Sequence, residues 1–148
     1  MFTSKVNYRN HRKIVIIDGE IGYMGGINVA DRYLEGDSNS YGIWRDTHLK
    51  IEGDAIHTLH SIFLLDWYFV SQTELYDQKY FPAARQSGNA MVQVVSSGPD
   101  TDWPAIMMGF FKAITSAKHY VYIQTPYFMP TESMITALKT AALGGVDV

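Results

Sequence analysis

The stretch KIVIIDGEIGYM, from Lys13 to Met24, limits the fold more than any other part of this chain. A β-branched run leads into Asp18-Gly19, and an apolar run returns, which predicts a hairpin with those two residues as its turn. A two-residue turn sets Ile17 opposite Glu20, Lys13 opposite Met24 and His11 opposite Gly26. His11 and Lys13, two apart on a strand, then project from one face, and Gly25 and Gly26 sit across from them.

Beyond the hairpin, residues 29–44 read as a loop with one helical turn near ADRYL, followed by a strand in DTHLKIE. From Asp54 to about Leu75, Ile56, Leu59, Phe63, Leu64, Trp67 and Val70 recur at helical spacing, so an amphipathic helix is predicted, with Asp54 as its cap. Residues 77–90 carry Pro82, Gly88 and Asn89 and read as a surface connection. Then come a strand in MVQVVSS, a helix over 104–117 with Pro104 in its first turn, and a strand in HYVYIQT. A last helix, TESMITALKTAAL, is capped by Thr131 and stopped at Gly144-Gly145, before VDV opens as a further strand. This alternation predicts an α/β architecture, a mixed β-sheet flanked by helices. Trp44, Trp67, Tyr68 and Phe69 are expected in core or rim packing. Both ends read as cut from something longer.

A chain of 148 residues, 47% of them hydrophobic, can bury a core. Its net charge of −3 argues against nucleic acid as a partner. Lys5, Arg9, Arg12 and Lys13 nevertheless gather with no acid before Asp18, so one corner should attract phosphate. The absence of cysteine excludes disulfide and thiolate chemistry. The longest apolar run, SIFLLDWYFV, is too short to span a bilayer and carries Asp66. No signal peptide is visible, and if the protein works at a membrane, these residues do not anchor it.

The chemistry suggested near the hairpin is phosphoryl transfer. Neutral imidazole attacks phosphorus without prior deprotonation, so His11 is a sensible nucleophile, and Lys13 supplies fixed positive charge to the non-bridging oxygens. Gly25 and Gly26 leave room for a phosphate, and Asn28 brings an amide donor to the same oxygens. Asp18 lies in the turn and reads as structural. A nucleophilic histidine still needs a carboxylate to orient it, and Asp46, at the head of the next strand, is the candidate. His48-Leu49-Lys50 repeats the histidine-lysine spacing without the later elements and reads as an ordinary strand. His57 and His60 share a helix face but lack further ligands, so no metal is expected, and His119 has no evident role.

The set His11, Lys13, Asp18, Gly25, Gly26 and Asn28 resembles the signature of the phospholipase D superfamily, HxKxxxxD followed by a glycine-asparagine element. More narrowly, RNHRKIVIIDG, GGINVADRY, WRDTHLKIEG and YIQTPYFMPTESMITALKTAALGGVDV are similar to bacterial cardiolipin synthases and cover most of the chain. The resemblance implies a phospholipase D-like fold, incomplete here. Residues 1–76 would be the C-terminal part of a first repeat, 77–90 a connection, and 91–148 the N-terminal part of a second. It implies enzymes of the bacterial cytoplasmic membrane that transfer a phosphatidyl group between phosphatidylglycerol molecules, without cofactor, through a phosphohistidine. By that resemblance His11 is the nucleophile, Lys13 and Asn28 are phosphate ligands, Asp46 holds the histidine and Asp18 serves local structure. Gln124 to Phe128 would border the site, with Tyr127 and Phe128 expected in core packing in the first place and lining the site as the alternative. The second histidine-lysine motif is absent, and with it the general acid. The partner implied is a second motif-bearing half of the same enzyme or a second chain, together with the membrane surface, and a fragment inactive alone is expected. Two other readings stand beside it: a phosphodiesterase or nuclease assembled from two identical chains, and a non-catalytic module binding anionic lipid through Lys5, Arg9 and Lys13.

Overall fold

The computed structural model describes residues 10–36, 42–99 and 101–148. Lys5 and Arg9 lie outside the described residues. The chain forms two compact units, Met1–Val94 and Val95–Val148.

In the first unit, β1 (Ile14–Ile17), β2 (Ile21–Gly25) and β3 (His48–Glu52) make a three-stranded sheet in that order, antiparallel throughout. The hairpin turn forms at Asp18-Gly19, with φ of 54° and 70°, and Glu20 N–H donates to the Ile17 carbonyl at 3.0 Å. The register nevertheless differs from the one expected. Ile17 pairs with Ile21 and Ile14, not Lys13, pairs with Met24, because Glu20 is an extra residue outside the ladder. Continued one step beyond Ile14, this register sets Lys13 level with Gly25 rather than Met24, and the ladder ends before His11 can pair with Gly26.

Helix α1 (Ala55–Ser71) seats on this sheet through Ile56 and Leu59, which are fully buried beside Ile51 and flanked by Ile14, Ile16 and Met24. Gly22 permits the close approach. A Cβ there would stand 2.5 Å from Ile56 Cδ1 and 2.8 Å from Leu59 Cδ2. Truncating a leucine at such a contact costs roughly 2–5 kcal/mol. The expected Asp54 cap is not made: its own backbone is already helical, so its side chain does not reach back to the first N–H groups. At the other end α1 stops at Ser71 rather than near Leu75. Gln72 turns left-handed (φ 55°), and its side-chain amide donates to the Tyr68 and Phe69 carbonyls at 3.2 and 3.1 Å. The aromatic residues of this last stretch face outward rather than into a core, Phe69 being 82% exposed.

Residues 77–90 fold back on the hairpin. Tyr80 and Pro82 crowd Gly19, the Arg85 guanidinium pairs with Glu20 at 3.2 Å, and the Phe81 ring stacks on His60 at 5.4 Å. His60 is only 5% exposed and its Nδ1 is without a hydrogen-bond partner among the described residues.

In the second unit, α2 (Ala105–Ser116) packs against α3 (Glu132–Leu143) around buried Ile114 and Ala137. Pro104 stands just before α2 as its cap residue, not within its first turn. Thr131 Oγ1 accepts from Met134 N–H at 3.4 Å, and after Gly144 the Gly145 backbone turns left-handed (φ 87°), so the last helix starts and stops where the sequence places it. The expected mixed sheet does not form. Parallel pairing among the described residues is confined to one bridge, Tyr120 with Asp147, and MVQVVSS makes no strand. Alternation marks a segment able to be a strand, but a ladder needs a neighbour to take its backbone hydrogen bonds. Tyr122 Oη does donate to the Asp147 carboxylate at 2.5 Å, which raises the phenol's pKa.

Burial, and to a lesser degree the charge of His57, hold the His60 imidazole below its ordinary pKa of 6.5. The unfolded chain therefore takes up this proton first, and stability falls as pH drops below about 6.5 toward the depressed value. Urea midpoints measured at pH 7.5 and 5.5 should differ more for the native chain than for His60→Leu; equal differences would contradict this assignment.

Candidate functional site

Apart from Asp18, the predicted site residues lie at or just beyond the strand ends away from the hairpin turn. His11 is exposed and Lys13 half-buried on the chain just before β1, and Lys13 Nζ donates to the His11 carbonyl at 2.7 Å. The ammonium is thus drawn back along the chain toward His11. Arg12 points the other way, pairing with Asp66 of α1 at 2.6 Å, while Asn10 Nδ2 donates to the same carboxylate at 2.8 Å. Of the basic cluster, Arg12 is therefore engaged by the helix, and Lys13 remains beside His11. Asp66, prominent in the sequence only as a charge interrupting an apolar run, fastens the entering strand to α1.

The glycine pair makes the corner at which β2 ends. Gly26 N–H donates to the Thr47 carbonyl at 2.9 Å, and the Asp46 carboxylate occupies the space that a Cβ on Gly26 would fill. Its Oδ1 accepts from Thr47 N–H at 2.7 Å. Asp46 thus lies directly on the glycine corner, on the strand entry neighbouring β2. No hydrogen bond joins it to the His11 imidazole among the described residues. Gly25 is level with His48, whose Nδ1 is buried against it with no partner among the described residues.

Asn28 stands just past the corner, half-buried, with Nδ2 donating to Tyr33 Oη at 3.0 Å and to the Gly26 carbonyl at 3.4 Å. Tyr33 belongs to a short 3-10 turn, Asp31–Tyr33, at the place where ADRYL suggested helix. Its contact with Asn28 has no motif to announce it. Asp18 sits in the hairpin turn, at the opposite end of the β1–β2 ladder from the glycine corner. The repeated His48-Leu49-Lys50 spacing lies within β3, where Lys50 pairs with Glu52 at 3.0 Å; that hydrogen bond and charge raise the lysine's pKa. Among the described residues no three histidine or carboxylate side chains gather as a metal would require. No described helix is long and apolar enough to cross a membrane.

What the arrangement offers is His11 and the Lys13 ammonium on the chain just before β1, and a glycine corner whose open side is taken by the Asp46 carboxylate at Gly26 and by Thr47 and His48 at Gly25, with the Asn28 amide just beyond. An anion can approach the backbone there only once the Asp46 carboxylate has moved aside.

The chain is 51% identical over 146 residues to cardiolipin synthase 2 of Staphylococcus epidermidis, matching 97% of this chain and 30% of that protein. It is 52% identical to a cardiolipin synthase of Staphylococcus aureus and 49% identical to one of Listeria monocytogenes, over 97% of this chain and 29% and 30% of theirs. The chain thus spans about 30% of the length of these relatives. No protein-family model and no solved structure matches it.

The corner's geometry can be probed without any ligand. In Gly26→Ala the added methyl group must displace the Asp46 carboxylate, an overpacking cost of about 1–3 kcal/mol. The Thr47 amide should lose its Asp46 partner, seen as an upfield proton shift and faster hydrogen exchange. A Thr47 resonance that stays in place would contradict the contact.

Proposed function

This chain is homologous to a segment of the bacterial cardiolipin synthases, and we propose that it forms the nucleophile-bearing wall of a phosphatidyltransferase site. The observation that carries the reading is that Lys13, whose ammonium bonds the His11 carbonyl, follows one step beyond the Ile14–Met24 pair and so comes level with the glycine corner that Asp46 borders. In the proposed reaction an imidazole nitrogen of His11 attacks the phosphorus of phosphatidylglycerol. The bond to the glycerol headgroup breaks, the departing oxygen takes up a proton, and a phosphatidyl-histidine remains. A hydroxyl of a second phosphatidylglycerol then attacks that phosphorus, loses its proton and restores the neutral histidine.

Lys13 and Asn28 are assigned to the non-bridging oxygens, where charge grows as the new bond forms. Gly25 and Gly26 are assigned to make room for the phosphate once the Asp46 side chain, which fills the space beside Gly26, has swung aside. Asp46 is assigned to orient His11 and steady its positive charge, which asks the carboxylate to reach from the corner to the imidazole once substrate is present. Asp18 is left to the turn. The acid that protonates the leaving glycerol is assigned to a second motif-bearing half or a second chain, so the chain alone is expected to be inactive. In the complete enzyme, the site would face the bacterial cytoplasmic membrane, from which both substrates come.

The test is made in a full-length cardiolipin synthase carrying this segment. His11→Ala should abolish phosphatidyl transfer with folding intact. Asp46→Asn should lower kcat by about 10²- to 10⁴-fold while leaving lipid binding in place. Substantial residual transfer in the first variant would place the nucleophile elsewhere, and an unchanged kcat in the second would remove the orienting role.

A further inference from the structure

The amide of Asn28 is held by a second residue that the site's chemistry does not name. Both of its N–H groups are engaged, one by Tyr33 Oη at 3.0 Å and the other, weakly, by the Gly26 carbonyl at 3.4 Å. Tyr33 is in turn held by two neighbours that also grip each other. Its ring meets Trp44 edge to face at 6.1 Å, the Arg32 guanidinium lies 5.7 Å from the Tyr33 ring centre and 4.6 Å from that of Trp44, and Trp44 N–H donates to the Arg32 carbonyl at 3.0 Å. Arg32, Tyr33 and Trp44 therefore clip the turn after the glycine corner to the chain that leads into β3. A cation on aromatic faces and an edge-to-face pair are each worth about 0.5–1.5 kcal/mol, enough to favour one position for the tyrosine hydroxyl.

We infer that Tyr33 is a positioning residue of the proposed phosphate site, holding the Asn28 amide by one N–H so that the other is presented to a phosphate oxygen. A phosphate oxygen only accepts, so Asn28 can serve it only through an N–H. The bond to Gly26 is the long one and is the one an anion would replace. The shorter bond to Tyr33 then acts as the pivot, and its acceptor is a hydroxyl whose ring is held edge to face by Trp44 and capped by the Arg32 guanidinium. This inference rests on the phosphate-binding reading of Asn28 given above.

Tyr33→Phe removes the hydroxyl and keeps the ring that Arg32 and Trp44 grip, so it separates positioning from folding. The chain, with its asparagine side chains labelled for NMR, is titrated with sn-glycerol 3-phosphate. Binding should weaken about five- to tenfold in Tyr33→Phe. It should weaken no further when Asn28→Ala is added to Tyr33→Phe than in Asn28→Ala alone, since the two residues would act as one donor. The Asn28 side-chain resonance should also move in Tyr33→Phe before any ligand is added. Equal affinity of the native chain and Tyr33→Phe, or losses that simply add, would overturn the positioning role while leaving the functional reading in place. If the native chain ignores glycerol 3-phosphate, the functional reading falls and the positioning role with it, even where the Asn28 resonance still responds to Tyr33→Phe.

Discussion

The seating of α1 on the hairpin through Gly22 is the contact on which the first unit depends. Ile56 and Leu59 reach the sheet there only because the facing strand offers no side chain. Two consequences follow from the helix being held at that distance. Its far half brings Asp66 level with Arg12 and Asn10, so the chain entering β1 is tied down just where His11 and Lys13 branch from it. Its near half follows directly on β3, whose register sets Gly25 beside His48 and brings Thr47 and Asp46 to the glycine corner. A helix-sheet contact thus stands behind the placement of both sides of the proposed site.

Glycine is used at two points for the same physical reason, the removal of a side chain from a crowded approach, with different outcomes. At Gly22 the space is filled by apolar atoms and yields stability. At Gly26 it is filled by a carboxylate that is otherwise exposed and has one backbone donor. A charged group in that position is not there for burial, which is why the corner, rather than the core, draws the functional reading. The chemistry proposed for it asks for modest movement only: an Asp46 side chain that swings, and an Asn28 amide that exchanges one weak bond.

Much of this was legible from local pattern. The Asp18-Gly19 turn, the strand around His48 to Glu52 and all three helices follow from β-branched runs, helical periodicity and the Thr131 cap, each a property of neighbouring residues. The register was not legible, because Asp18-Gly19 reads the same whether or not the turn also takes in Glu20; in the structure Tyr80 and Pro82 lie against Gly19 and Arg85 pairs with Glu20. The strands expected at 91–97 and 119–125 failed for a related reason: alternation is local, but pairing is not. Asp66 and Tyr33 were missed as parts of the site because one acts across 54 residues of sequence and the other through a hydroxyl that no motif marks. The family resemblance, by contrast, was carried by contiguous strings, and similarity near 50% to cardiolipin synthases over 97% of the chain agrees with it.

The most direct measurement is to locate the covalent intermediate. A full-length cardiolipin synthase carrying this segment would be mixed with phosphatidylglycerol for less than one turnover, quenched in alkaline denaturant, where phosphorus-nitrogen bonds to histidine survive, and digested for mass spectrometry. The phosphatidyl mass should lie on the peptide containing His11 and vanish in His11→Ala. An adduct found on a different residue, or turnover with no adduct in this peptide, would contradict the assignment of this hairpin end as the seat of the nucleophile.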